Sequence, residues 1–250
     1  MRWEMIKAVT FDWWFTITNM PVQAEEFAPW AKKHRLEGMS KVLSDAGLGV
    51  DDRRLSVAYD RLTKHLEDVW HRNLDVLGEE QIAIFLQYAG IRKTPDDGLI
   101  AKLSVPYRNA VLDRPPDINP GVADCLAILK RDGYKLGIIS NTGRTWGRAL
   151  IELQKKYGIW GSFDVLSFSD EIGVRKPHPA IFKKTLEGLR LSAEKVVHIG
   201  DNTLDDVSGA KGVGMKAVWY NAGIRPGEKT DEADAEIHHF SELPAIVRRL

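Results

Sequence analysis

The chain has 250 residues, 44% of them hydrophobic, and its 35 Lys plus Arg balance 35 Asp plus Glu for a net charge of zero. That length and composition fit a globular protein of one large domain, or a core with a smaller companion. A zero net charge gives no long-range attraction to nucleic acid or an anionic membrane, so any anion site must be built locally. The single cysteine, Cys125, excludes an internal disulfide and reads as a buried thiol on the apolar face of a helix. Met1 to Met5 shows no signal-peptide core, and no apolar run approaches the roughly 18 residues that a membrane helix needs. The expected compartment is the cytoplasm, with neither nucleic acid nor membrane as a partner.

In chain order, the first apolar run, Ile6 to Phe11, reads as a strand that delivers Asp12 at its carboxyl end. From Met20 to about Leu112 charged helical stretches follow one another without a strand pattern: Glu25 to Ala46, Arg53 to Val69 and Glu79 to Tyr88. This helical insertion leaves directly after the Asp12 loop, which places it to lie over a site there as a lid. Pro115-Pro116-Asp117 marks a stiff return.

Strands and helices then alternate. Helix Pro120 to Arg131, with Asn119 as its cap, precedes strand Lys135 to Ile139; helix Thr145 to Lys156 precedes strand Asp164 to Ser167. Helix Pro179 to Leu189, strand Lys195 to Ile199, helix Leu204 to Gly212 and strand Lys216 to Tyr220 continue the series. Asp231 to Glu236 reads as a solvated acidic loop, and Ser241 to Leu250 as a short capped helix closing the sheet. The alternation predicts an α/β fold, a three-layer Rossmann-like parallel sheet covered by helices. Its core spans 1–19 and 113–250, and a helical cap spans 20–112.

Asp12 and Asp201 each end an apolar strand, and ligands of open α/β sheets gather outside those ends. Four elements occur in order at strand ends: Asp12-Trp13-Trp14-Phe15-Thr16, then Ile138-Ile139-Ser140-Asn141-Thr142, then Gly173-Val174-Arg175-Lys176-Pro177, and finally Gly200-Asp201 with Asp205-Asp206 and Gly209-Ala210. This set resembles the haloacid dehalogenase (HAD) superfamily. The helical block sits where that superfamily's C1 cap is inserted.

The resemblance implies a Mg²⁺-dependent hydrolase of a small phosphate ester. Asp12 is then the nucleophile, forming an aspartyl phosphate that splits one hard hydrolysis into two easier steps. Ser140 and Lys176 stabilise charge on the phosphoryl oxygens, and Lys176 also holds Asp12 ionised. Mg²⁺, a hard cation suited to oxygen donors, is held by Asp12, Asp201, Asp206 and the backbone carbonyl of Trp14. Asp205 points about 100° away from Asp206 on a helix and ranks second. Substrate contacts are expected from Trp14, Thr16, Asn141 and Arg144, and from Arg35 in the cap, with His34, Trp70 and His71 as further cap residues to test. Trp13, Trp146, Trp160 and Trp219 read as packing, His178 as shaping its loop and His198 as structural.

Trp14 departs from the pattern. HAD phosphatases carry an acid two residues after the nucleophile, and an indole cannot do its acid-base work. Such assistance is typically worth roughly 10²- to 10⁴-fold, so a slow phosphatase is expected. The superfamily's 2-haloacid dehalogenases have an aromatic residue here and are the first alternative, but Gly200-Asp201 is the metal-binding form of the fourth motif. A weakly catalytic protein that binds a phosphorylated ligand or a protein partner is the second alternative. The sequence leaves oligomeric state open.

Overall fold

The structure, a computed structural model, describes residues 5–19, 24–91 and 97–250. Met1 to Glu4 and the start of the insertion at Met20 lie outside them. In chain order the elements are β1 (Ala8–Phe11), α1 (Ala24–Asp45), α2 (Asp52–Trp70), α3 (Gly78–Tyr88), α4 (Asp97–Asp113), α5 (Val122–Arg131), β2 (Lys135–Ser140), α6 (Gly147–Lys156), β3 (Val165–Phe168) and α7 (Ser169–Ile172). There follow α8 (Pro179–Leu189), β4 (Val196–Gly200), a π-helical turn (Thr203–Ser208), α9 (Gly209–Lys211), β5 (Lys216–Tyr220), β6 (Ala235–Ile237) and α10 (Leu243–Val247).

The strands form one sheet in the order β3-β2-β1-β4-β5-β6, with every neighbouring pair parallel. β1 and β4 are buried along their whole length, as central strands of a sheet covered on both faces must be. From β1 the chain builds β2 and β3 to one side and β4 to β6 to the other. The crevice outside the carboxyl ends of β1 and β4 is therefore where such a sheet binds ligands.

One apolar cluster fills the face under α5, α6 and α10, with Val9, Phe11, Leu126, Ile138, Leu150 and Phe240. A second fills the opposite face, with Ala8, Ile139, Phe182, Val207 and Trp219. The four helices α1 to α4 bury a third cluster of their own, including Met39, Leu62, Phe85 and Tyr107, into which the core residue Trp146 inserts.

Several expectations need correction. Asn119 does not cap a helix: Gly121, at φ 80°, precedes α5, and the Asn119 amide donates instead to the carbonyls of Phe15 and Thr16, at 3.3 and 2.8 Å. The acidic stretch from Asp231 contains the start of β6, and Asp234 beside it pairs with Lys211 and Lys216 at 2.8 and 3.0 Å. Trp160 is 52% exposed, whereas Trp13, Trp146 and Trp219 are buried. Cys125 is buried, which pushes its thiol up to about 12.

Candidate active site

β1, β2 and β4 end side by side, and their last residues hand over to three short loops. The backbone N–H of Asp12 donates to the Ile199 carbonyl at 2.8 Å, so the Asp12 and Asp201 loops start in register. Asp206 returns to the same point. Gly200 makes this possible, because a Cβ there would lie 2.1 Å from the Asp206 carboxyl carbon. Winding Thr203–Ser208 as a π-helix carries Asp206 inward and leaves Asp205 half-buried against the Asn141 amide, at 3.3 Å. One oxygen from each of Asp12, Asp201 and Asp206 lies within 4.8 Å of the others, and all three residues are buried.

Lys176 is 3% exposed and pinned between two of these acids. Its Nζ lies 2.5 Å from Asp12 Oδ1 and 2.6 Å from Asp206 Oδ1. Asn141 grips the lysine's backbone: its Oδ1 accepts from the Lys176 N–H at 2.8 Å and its Nδ2 donates to the Lys176 carbonyl at 3.1 Å. The Asn141 side chain is thus spent on holding Lys176. Asp206 Oδ2 accepts from the Asn202 N–H at 3.0 Å, and its Oδ1 also meets His198 Nε2 at 3.2 Å.

Burial alone would raise the Asp206 carboxyl, but Lys176 and His198 together hold it far below the usual range. Burial would depress the Lys176 ammonium, but Asp12 and Asp206 hold it above its ordinary value. At Asp12 burial wins: with Asp206 and Asp201 adding repulsion, it pushes the carboxyl up against the pull of Lys176. Burial and Asp206 likewise push Asp201 up to about 6, against Arg225, whose Nε sits 2.9 Å from Asp201 Oδ2. Lys176 is the group that pulls the Asp12 carboxyl down, against burial and its two acidic neighbours. Three carboxylates face two cations here, and a divalent cation with a preference for oxygen donors fits both the charge and the donor set.

Ser140 and Thr16 are fully buried beside these loops, and the hydroxyl of each has no hydrogen-bond partner among the described residues. Buried hydroxyls normally find one, so both stand ready for a ligand oxygen. Trp14 is half-buried, and Phe15 holds a left-handed φ of 62°, a conformation that glycine adopts at no steric cost. The Phe15 ring lies 6.0 Å from the Arg225 guanidinium.

The cap rests on the same loops. Trp70 covers Gly143 and stacks 4.6 Å from the Arg175 guanidinium. Asp75 accepts from Trp70 Nε1, Ser169 Oγ and Arg175 Nη1, at 2.8, 2.5 and 3.1 Å. Arg144 reaches from the β2 loop to Thr63 on α2, at 2.7 Å, and Arg35 is buried on α1. His34 pairs with Asp113 at 2.8 Å, His71 is exposed, Arg148 lies on the surface against Glu79, and His178 Nδ1 caps α8 by accepting from the Ala180 N–H.

Sequence reasoning missed Arg225, Asn202, Asp75 and the role of His198. A lone arginine in a polar loop carries no local signal, and neither does a histidine within an apolar strand.

A six-stranded parallel sheet with a carboxylate trio at its switch point defines a Rossmann-like α/β protein with its site at the carboxyl ends of the strands. The chain belongs to the haloacid dehalogenase-like hydrolases, whose family model matches residues 6–214. It is 36% identical over 224 residues to a glyceraldehyde 3-phosphate phosphatase of Pyrococcus abyssi, covering 88% of this chain and 83% of that one. It is 30% identical over 251 residues to the enzyme of the same name from Methanocaldococcus jannaschii, covering 98% and 99%. Among solved structures it is similar to a 2-haloacid dehalogenase from Pseudomonas syringae, with a TM-score of 0.69 at 22% identity over 98% of this chain and 99% of that one, a likeness of fold.

Proposed function

We propose that the protein is a Mg²⁺-dependent phosphatase of small phosphate esters, with 1–19 and 113–250 as its catalytic core and 20–112 as its cap. The observation that carries this reading is the buried trio Asp12, Asp201 and Asp206 gathered around Lys176. Such a concentration of negative charge would repel a phosphoryl group or a 2-haloacid unless a cation joined it, and only phosphoryl transfer makes use of one. The names of the two archaeal relatives support the same choice.

Asp12 attacks phosphorus as the bond to the ester oxygen breaks, and water then releases phosphate and restores the carboxylate. The Lys176 ammonium and the free hydroxyls of Ser140 and Thr16 donate to the phosphoryl oxygens. Asn141 and Asp206 act through Lys176 by fixing its backbone and its Nζ. Mg²⁺ would be held by Asp12, Asp201, Asp206 and the Trp14 carbonyl, and when bound it would neutralise charge between nucleophile and phosphate. Trp14 shapes the site mouth without moving a proton, while Arg144 and Arg35 meet the remainder of the substrate. A cytoplasmic setting suits a small phosphorylated metabolite and the single buried thiol.

The test is aryl phosphate hydrolysis at neutral pH with Mg²⁺ and then with EDTA, beside chloride release from 2-chloropropionate. Metal-dependent phosphate release that is lost in Asp12→Asn supports the reading. Halide release without metal replaces it with dehalogenation.

A further inference from the structure

Two arginines, Arg35 from the cap and Arg144 from the core, approach one tyrosine, and among the described residues neither is paired with an acid. Arg35, 6% exposed on α1, donates from Nε to the Tyr107 carbonyl at 2.7 Å and from Nη1 to the Tyr59 hydroxyl at 3.1 Å. Arg144 comes out of the loop that follows Ser140. It lays its guanidinium 4.9 Å from the centre of the Tyr59 ring and donates from Nη2 to the Thr63 hydroxyl. Its Nε is buried and has no partner among the described residues.

Every oxygen that meets these guanidiniums is neutral: the Tyr107 carbonyl and the hydroxyls of Tyr59, Thr63 and Tyr107. Burial pushes the Tyr107 phenol above its ordinary value despite both arginines, so it supplies no negative charge. Among the described residues no carboxylate forms an ion pair with Arg35 or Arg144. Buried charges are ordinarily paired, because leaving water uncompensated is costly. Bracing alone would be served as well by neutral donors, and it leaves two guanidinium charges uncompensated and, among the described residues, the Arg144 Nε–H without a partner, four residues along the chain from Ser140. A guanidinium offers a fork of donors that matches a carboxylate.

We infer that Arg35 and Arg144 form a second anion subsite, and that the substrate is a short phosphate monoester whose other end carries a carboxylate. This rests on the phosphatase reading and narrows it. It also separates this chain from the aldehyde-bearing ester named for its archaeal relatives, since glyceraldehyde 3-phosphate has no second anion to fill the subsite.

The experiment measures binding by calorimetry, so that it stands even if no ester is hydrolysed. The probes are 3-phosphonopropionate and 3-phosphonopropionamide, an isostere that keeps the phosphonate and replaces the carboxylate by a neutral amide, titrated into the full chain with Mg²⁺. The carboxylate is expected to bind at least tenfold more tightly, and the preference is expected to fall to about two- to threefold in Arg144→Gln and in Arg35→Gln. Should Arg35→Gln lose its fold by circular dichroism, Arg35→Lys replaces it, keeping the charge but not the fork. Equal affinity for the two probes, a preference that survives both substitutions, or no binding of either probe overturns the subsite. Failure of the native chain to hydrolyse the matching phosphate ester, with the binding preference intact, would instead strike the phosphatase reading.

Discussion

His198 Nε2 faces Asp206 Oδ1 at 3.2 Å, with the Thr10 hydroxyl 2.9 Å from its other ring nitrogen. Thr10 and His198 are register partners on β1 and β4. Burial lowers the His198 pKa, so the ring is neutral and one nitrogen must donate while the other accepts. Donation from Nε2 to the carboxylate, with Thr10 donating to Nδ1, satisfies all three groups. The chain Thr10, His198, Asp206, Lys176 and Asp12 then aims the lysine from the back of the sheet. Replacing His198 by Leu is expected to lower kcat about tenfold, the worth of one hydrogen bond to a charged group, while Gln, whose amide can still donate, retains most of it. Thr10→Val should lower kcat in the native background and have little effect beside His198→Gln. Additive losses in the double variant would remove the relay.

Trp14→Asp restores a carboxyl where an acid is missing. The gain should depend on the leaving group: at least tenfold in kcat on an alkyl phosphate, whose alkoxide needs a proton, and little on p-nitrophenyl phosphate. An equal gain on both would point to pocket shape instead.

Asp170 is buried behind the β3 strand end, accepting from the Thr142 hydroxyl at 2.6 Å and the Gly147 N–H at 3.0 Å. Burial outweighs these bonds and pushes its carboxyl up to about 6. Between roughly pH 4 and 6 the folded chain thus holds more proton at this site than the unfolded chain, whose Asp titrates near about 3.9. Its contribution to stability is fully present below pH 4 and is lost as pH rises through 6. Asn keeps the acceptor without the charge. Asp170→Asn should therefore be more stable than the native protein by roughly 1–2 kcal/mol at pH 8, with the gap closing toward pH 4. Urea unfolding at the two pH values measures it, and a gap independent of pH would contradict the assignment.

Asp75 joins the cap to the core through Trp70, Ser169 and Arg175. Asp75→Ala leaves the half-buried Arg175 and three donors, Trp70 Nε1, Ser169 Oγ and the Val76 N–H, without their acceptor, and should cost roughly 3 kcal/mol in urea unfolding. Asp75→Asn, which keeps one acceptor oxygen, should cost less.

The chain's own pattern determined that Asp12 and Asp201 end neighbouring strands of a parallel sheet and that a helical block follows the first. Apolar periodicity and strand-end acids are local signals, written within about ten residues of each group. β6 escaped because its three residues, Ala235 to Ile237, are too short to show a period. Asn119 precedes a proline and a helical run and so looked like a cap, whereas its amide is taken by carbonyls more than 100 residues earlier in the chain. Which oxygen Lys176 touches, which acid the π-helical turn brings inward and which arginines go unpaired were decided only by tertiary packing. Those are relations between groups far apart in sequence, set by burial and distance, and neither quantity is carried by a residue's neighbours along the chain.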